Sequence, residues 1–261
     1  MAQNLLPYFP HVVALLFGLC IGSFLNVCIH RLPGPESIAR GRSHCPNCGT
    51  MISAYDNVPV FSYIILGARC RHCKGPISAR YPAVELLTGA LAVLCVFRFG
   101  PTWDAVYYFA FCCALVVVSF VDYDLMIIPD VISLPGIPIG IAGAFFVGMA
   151  TPVDAVLGAA VGWGLLHAIR IGYQLLRGRE GMGLGDVKLL SMIGAFCGVK
   201  AVFFTLVAGP MVGLVVGLAL MAVRRKGLGL GIPFGPFLAL GALLYLFVGD
   251  WLILWYAGLF R

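Results

Sequence analysis

Two aspartates and four cysteines are the residues of this sequence whose types and spacing could do chemistry. Asp186 closes the run Gly183-Leu184-Gly185-Asp186, and Asp122 opens Asp122-Tyr123-Asp124-Leu125-Met126-Ile127-Ile128-Pro129-Asp130. Each lies where a strongly apolar stretch ends. A carboxylate near hydrocarbon costs about 2.5–3.5 kcal/mol at mid-bilayer on insertion scales, so chains keep few without a use. Two carboxylates brought within a few ångströms cannot both ionise cheaply, and they share a proton. The ionised member can then activate water as a general base while the protonated member polarises a carbonyl. That is aspartic peptidase chemistry, which needs no nucleophilic serine, metal or cofactor. No GxSxG or HExxH motif competes with it, and His11, His30, His44, His72 and His167 form no ligand-spaced cluster.

The remaining acids have plainer readings. Asp104, Asp154 and Asp250 fall at the ends of apolar stretches, where solvated caps are the default, and Glu36, Asp56 and Glu180 belong to polar loops. Asp130 follows Pro129 and suits a helix N-terminus. Asp124 lies two residues from Asp122, so a helix points it to a different face, and it is the alternative partner for Asp186. Four residues support the pair. Gly183 and Gly185 leave Asp186 approachable, Lys188 can balance local charge, and Glu85 is placed to pair with a basic residue or to touch a substrate.

The cysteines are Cys45-Pro46-Asn47-Cys48 and Cys70-Arg71-His72-Cys73, with 21 residues between the pairs. This spacing resembles a zinc ribbon, in which two knuckles supply a closed tetrahedral thiolate cage for structural zinc. Disulfides are the alternative. A reducing cytoplasm disfavours them, and a lobe of about 50 residues has too small a core to hold without a staple. Cys20, Cys28, Cys95, Cys112, Cys113 and Cys197 are scattered in apolar stretches and read as packing residues.

The elements that must position these groups follow from composition. The 261 residues are 61% hydrophobic and 11% charged, with a mean hydropathy of +0.99. No soluble chain of this length hides so much apolar surface, so the expected fold is an all-α polytopic membrane protein. Eight transmembrane helices are expected, roughly at 10–31, 81–99, 104–121, 131–149, 154–175, 187–199, 201–223 and 232–255, with 187–199 short for a crossing. Residues 1–30 carry no Lys or Arg and fit a retained first helix. Alternating the spans puts 14 of the 17 Lys and Arg residues on one side. By the positive-inside rule, the polar lobe 32–80 is then cytoplasmic, and both aspartates fall at the cytoplasmic mouth of the bundle. The net charge of +6 is therefore a topology signal, and lipid rather than nucleic acid is the expected partner. A second glycine run, Gly227 to Gly231, leads into Ile232-Pro233-Phe234-Gly235-Pro236 and reads equally as helix packing. A proton-coupled transporter is one rival, but it needs acids reaching the outer face. A zinc-dependent scaffold is another, and it leaves the aspartates without a role.

The motifs also occur in a telling order. Gly22-Ser-Phe-Leu-Asn-Val-Cys-Ile-His-Arg-Leu-Pro33 ends the first span, and Tyr55-Asp-Asn-Val-Pro59 lies between the cysteine pairs. Arg80-Tyr-Pro-Ala-Val-Glu-Leu-Leu-Thr-Gly89 enters the second span, and the Asp122 segment and Gly183-Leu-Gly-Asp-Val-Lys188 follow. Over nearly its whole length the chain resembles the type IV prepilin leader peptidases, GxGD-type membrane aspartic peptidases also called prepilin peptidase/N-methyltransferases. The resemblance implies an enzyme of the bacterial inner membrane. It implies cleavage of the basic leader from type IV prepilins and type II secretion pseudopilins at the cytoplasmic face, and N-methylation of the new terminus from S-adenosylmethionine. It also implies Asp122 and Asp186 as the catalytic dyad. By the same resemblance, residues 1–100, with the lobe, are expected to form the methyltransferase part, and residues 101–261 the peptidase domain. No Rossmann-type glycine loop is present, so a methyl-donor site has to be built from the lobe and nearby span ends. Asn26, Asn57, Ser62 and Glu85 are the polar residues there, and organising the lobe is their alternative role.

Overall fold

The computed structural model describes residues 8–34, 43–179, 181–224 and 233–249, with a few positions beyond. The helices are α1 (Phe9–Arg31), a short α2 (Phe61–Ile65), α3 (Arg80–Phe99), α4 (Trp103–Leu125), α5 (Asp130–Gly143), α6 (Pro152–Arg177), α7 (Leu184–Arg224) and α8 (Gly235–Leu244). No strand occurs among the described residues, only two isolated bridges in the lobe. Five helices, α1, α3, α4, α6 and α7 over Leu184–Val216, are long and apolar enough to cross a membrane, and α5 and Gly235–Gly249 are shorter apolar helices. Large apolar side chains such as Phe97, Phe146 and Leu176 stand exposed, as they do where lipid is the solvent.

The expected spans 187–199 and 201–223 run together as α7, but Gly198 interrupts it with φ 81° and ψ −179°. The short sixth span was the sequence signal of this break. Asp154, expected to be a solvated cap, instead accepts the Val199 N–H at 3.3 Å and so caps the helix that resumes after Gly198. The span expected at 131–149 appears as the shorter helix α5, and within 232–255 the described residues form an apolar helix over Gly235–Gly249, α8 followed by a π-helical turn. Pro135 and Pro138 lie within α5. The glycine run Gly227 to Gly231, Glu36 and Glu180 lie outside the described residues.

The chain forms two compact units, Met1–Val117 and Val118–Arg261. In the first, α1 packs on α3 through small residues. A Cβ on Gly22 would lie 2.7 Å from Glu85 Cα, so the two backbones touch there, which is how membrane helices gain packing without a hydrophobic drive. Phe99 stacks on Tyr108 at 4.7 Å, tying α3 to the start of α4. In the second unit, α7 packs against α5, α6 and α8. Its core includes Leu189, Leu190, Met192, Ile193 and Leu238, all fully buried.

Candidate active site and metal centre

In the second unit, Asp122 sits in the last turn of α4. Met126 ends that helix in the left-handed region (φ 55°), its N–H bonded to the Asp122 carbonyl at 2.8 Å, and the chain reverses through Ile127–Pro129 into α5. Asp186 lies in the first turn of α7 and is half-buried, whereas Asp122 is only 5% exposed. Both carboxylates line one cavity of about 630 Å³, and they are close enough to act on each other electrostatically. Residues 64 apart in sequence are thus brought together. Asp124 is exposed and does not line that cavity.

The supporting residues fall into distinct places. Gly183 donates its backbone N–H to the Asp186 carboxylate and borders the cavity. A Cβ on Gly185 would meet Ile128 Cβ at 2.8 Å, so this glycine lets the start of α7 press against the Ile127–Pro129 turn. Lys188 Nζ bonds both Asp130 oxygens at 2.7 Å, which fastens the first turn of α7 to the first turn of α5. Asp130, read from sequence as a helix-start residue only, is therefore also an ion-pair partner.

One site residue carried too weak a sequence signal to be singled out. The Gly235 N–H, at the N-terminus of α8, donates to Asp122 Oδ2 at 2.9 Å, and a Cβ there would come within 2.7 Å of the same oxygen. Pro233 and Phe234 complete that wall of the cavity. The sole hint in the sequence was the Pro233-Phe234-Gly235-Pro236 segment, which packing explained as well.

In the first unit, the lobe is two copies of one turn. The Cys45 N–H bonds the Thr50 carbonyl at 2.9 Å, and the Gly49 N–H bonds the Cys45 carbonyl at 2.8 Å. The Cys70 N–H bonds Gly75 at 2.8 Å, and the Lys74 N–H bonds Cys70 at 3.0 Å. Gly49 (φ 70°) and Lys74 (φ 57°) hold the same left-handed position. The four Sγ atoms lie within 4.8 Å of one another, with Cys45 and Cys73 at 3.9 Å. A zinc–sulfur bond of about 2.3 Å puts tetrahedral sulfurs roughly 3.8 Å apart, so the cluster fits a metal ion of that kind. The Thr50 hydroxyl beside Cys48 pushes that thiol down to about 6, and backbone N–H groups led by that of Cys73 lower Cys70, whereas Cys45 is raised, so two of the four thiols are eased toward the thiolates a metal needs. Arg71 forks onto Asp56 at 2.6 and 2.8 Å and lies over the Tyr55 ring, bracing the second knuckle against the loop between the cysteine pairs.

A second cavity, of about 370 Å³, opens between the lobe, α1 and α3, and Asn26, Asn57, Ser62 and Glu85 all line it. Glu85 is 7% exposed. It forms no ion pair among the described residues; its carboxylate accepts the Val60 N–H at 2.7 Å and a hydrogen bond from Ser23. Val60 has φ 62° and ψ −48°, with the Phe61 N–H bonded to the Pro59 carbonyl at 2.6 Å. That is a γ-turn of the rare, strained kind, here on a β-branched residue.

The fold and these two centres define a polytopic helical membrane protein with a paired-carboxylate cavity and a lobe whose four cysteines could hold a metal ion. Residues 16–99 match the bacterial peptidase A24 N-terminal domain, and residues 109–218 match the type IV leader peptidase family. The chain is 37% identical to a prepilin leader peptidase/N-methyltransferase of Aeromonas hydrophila, over 96% of this chain and 95% of the relative. It is 45% identical to one of Myxococcus xanthus, over 87% of this chain and 69% of the relative. It is 36% identical to one of Pseudomonas aeruginosa, over 90% and 89%. No solved structure matches the chain significantly. The chain belongs to the prepilin leader peptidase/N-methyltransferase family.

Proposed function

We propose that this protein is a bacterial inner-membrane enzyme that removes the basic leader of type IV prepilins and type II secretion pseudopilins at the cytoplasmic face, then N-methylates the new terminus from S-adenosylmethionine. Asp122 and Asp186 form the catalytic dyad. The observation that carries this reading is their convergence, from helix ends 64 residues apart, on one cavity. The charge asymmetry supports the orientation, because a basic leader stays on the side where Lys and Arg collect. Residues 101–261 perform cleavage, and residues 1–100 carry the methyl-transfer part.

In cleavage, the ionised aspartate takes a proton from water as its oxygen attacks the scissile carbonyl carbon. The protonated aspartate hydrogen-bonds the carbonyl oxygen, where charge develops. The tetrahedral species then collapses, the C–N bond breaks, and the departing nitrogen takes up a proton. Gly235 and Gly183 each aim a backbone N–H at one carboxylate and so fix the two acids for this exchange. Lys188 and Asp130 hold the turn between them in register, and the missing side chain at Gly183 leaves room for an extended peptide. Cys45, Cys48, Cys70 and Cys73 hold structural zinc, which closes the lobe and takes no part in bond breaking.

The test is leader removal from a prepilin by purified Asp122→Asn, Asp124→Asn and Asp186→Asn proteins in detergent, followed on a gel. The first and third are expected to lose at least three orders of magnitude in rate while staying folded, and the second to cut. An active Asp122→Asn beside a dead Asp124→Asn would rename one partner. Three active variants would remove the peptidase assignment.

A further inference from the structure

The cavity of the first unit has no part in the cleavage chemistry above, yet it is a built site. Its volume of about 370 Å³ lies in the range of small-molecule pockets. Its walls combine aromatic rings (Tyr63 and Tyr81), amides (Asn26 and Asn57), a cation (Arg31) and the buried carboxylate of Glu85. We propose that this cavity binds the S-adenosyl methyl donor, with Glu85 as the anionic group that selects its cationic form. The proposal rests on the methylation reading given above.

Three observations carry it. First, Glu85 is buried with neutral hydrogen-bond donors and no ion pair among the described residues, so its site favours a cationic visitor. Second, Glu85 is held firmly: Gly22 brings α1 against its Cα, and its carboxylate grips Val60. Third, Val60 sits in the strained turn, and Ser62 ties the same loop by accepting the Val58 N–H at 3.1 Å and donating to the Tyr55 carbonyl at 3.0 Å. Strain retained by specific contacts is characteristic of ligand clamps. The donor's own chemistry matches this lining: adenine for the rings, and sulfonium and ammonium charges for Glu85. When bound, the donor supplies a methyl group to the substrate's terminal amine: an N–C bond forms and the S–C bond breaks with its electron pair kept by sulfur. The surplus amine proton passes to water, and the cationic sulfonium becomes a neutral thioether. A carboxylate at the cavity wall therefore separates donor from spent product by charge.

The experiment is calorimetric titration of the full-length, zinc-loaded protein in detergent with sinefungin, which is cationic where the sulfonium stands, and with S-adenosylhomocysteine, which is neutral there. The wild type is expected to bind both, sinefungin more tightly. Glu85→Gln keeps the shape and an acceptor for Val60. It is expected to weaken sinefungin at least tenfold and S-adenosylhomocysteine less than threefold. Ile52→Trp, which fills the cavity from the lobe, is expected to weaken both at least tenfold with zinc content and melting temperature retained. Ultraviolet cross-linking of labelled S-adenosylmethionine to the unmutated protein checks the site without any substitution, the adduct being expected within residues 23–85. Binding of both ligands by the wild type, unchanged in both variants or with the adduct outside that range, overturns the cavity assignment and leaves the methylation reading standing. Equal weakening of both ligands by Glu85→Gln overturns the charge-selecting role. No binding by the wild type removes the methylation reading together with the site.

Discussion

The two cavities are built in opposite ways. The first unit makes the lobe-side wall of its cavity from a loop fixed mainly by near neighbours, Ser62 to Val58 and Tyr55 and Phe61 to Pro59, with a reach to Glu85 on α3, and leaves the opposite walls to α1 and α3. The cysteine knuckles beside it are turned by hydrogen bonds spanning four or five residues, with nine-residue backbone bonds and the Arg71–Asp56 brace around them. The second unit makes its cavity from the ends of four helices. Asp122 comes from the end of α4, Asp130 from the start of α5, Asp186 from the start of α7 and the Gly235 N–H from the start of α8. A locally closed site keeps its shape if distant helices shift, whereas an assembled one depends on every helix arriving. The paired-carboxylate cavity should therefore be sensitive to single atoms far from Asp122 in sequence, and the lobe sensitive mainly to its own cysteines.

Gly235→Ala tests that contrast most severely. The added methyl has to occupy space 2.7 Å from Asp122 Oδ2, so either the carboxylate or the start of α8 moves. A displacement of about 1 Å at a catalytic group can cost on the order of 10²-fold in rate. Gly235→Ala is expected to cut prepilin at about one hundredth of the wild-type rate, with an unchanged melting temperature and unchanged zinc content. A rate within threefold of wild type would mean that Asp122 does not depend on α8, and the contrast would fail at its strongest point.

Removing half of the cysteine cluster asks the same question of the other region. Cys45→Ser/Cys48→Ser takes half of a donor set whose sulfurs already lie within 4.8 Å of one another. The lobe is expected to lose its zinc and its protection from protease. Methylation of a pre-cleaved pilin is expected to fall at least tenfold, with leader cleavage within threefold of wild type. A doubly substituted protein that folds, cleaves and methylates normally would sever the lobe from methyl transfer. One that loses cleavage as heavily as methylation would show that the two regions share one stability.

The contrast also governs what was legible in the sequence. Local closure leaves local marks. The CxxC pairs announced the knuckles, and the shortness of 187–199 announced the break at Gly198. Asp122 and Asp186 stood out because each carboxylate borders an apolar run. Long-range closure leaves no such mark. The Gly235 N–H meets Asp122 across 113 residues, and the sole hint, the Pro233-Phe234-Gly235-Pro236 segment, names no partner. Asp154 looked like a solvated cap for the same reason, since the helix start it caps lies 45 residues away. The Val60 turn was hidden differently: a β-branched residue argues against positive φ, so local propensity pointed away from the structure.

The smallest effect compares the two knuckles with each other. Gly49 and Lys74 occupy one left-handed position in two copies of the same turn, and only the first is a glycine. A side chain in that region costs roughly 1–2 kcal/mol, while glycine loses roughly 0.5–1 kcal/mol more in chain entropy on folding. Gly49→Ala is therefore expected to destabilise the zinc-loaded lobe by about 0.5–1 kcal/mol, and Lys74→Gly to stabilise it by a similar amount, read as shifts in the temperature at which zinc is released. The two signs must be opposite if local backbone geometry alone closes each knuckle. A Lys74→Gly protein that releases zinc earlier would show that the second knuckle draws on its side chain, and with it on contacts beyond its own turn.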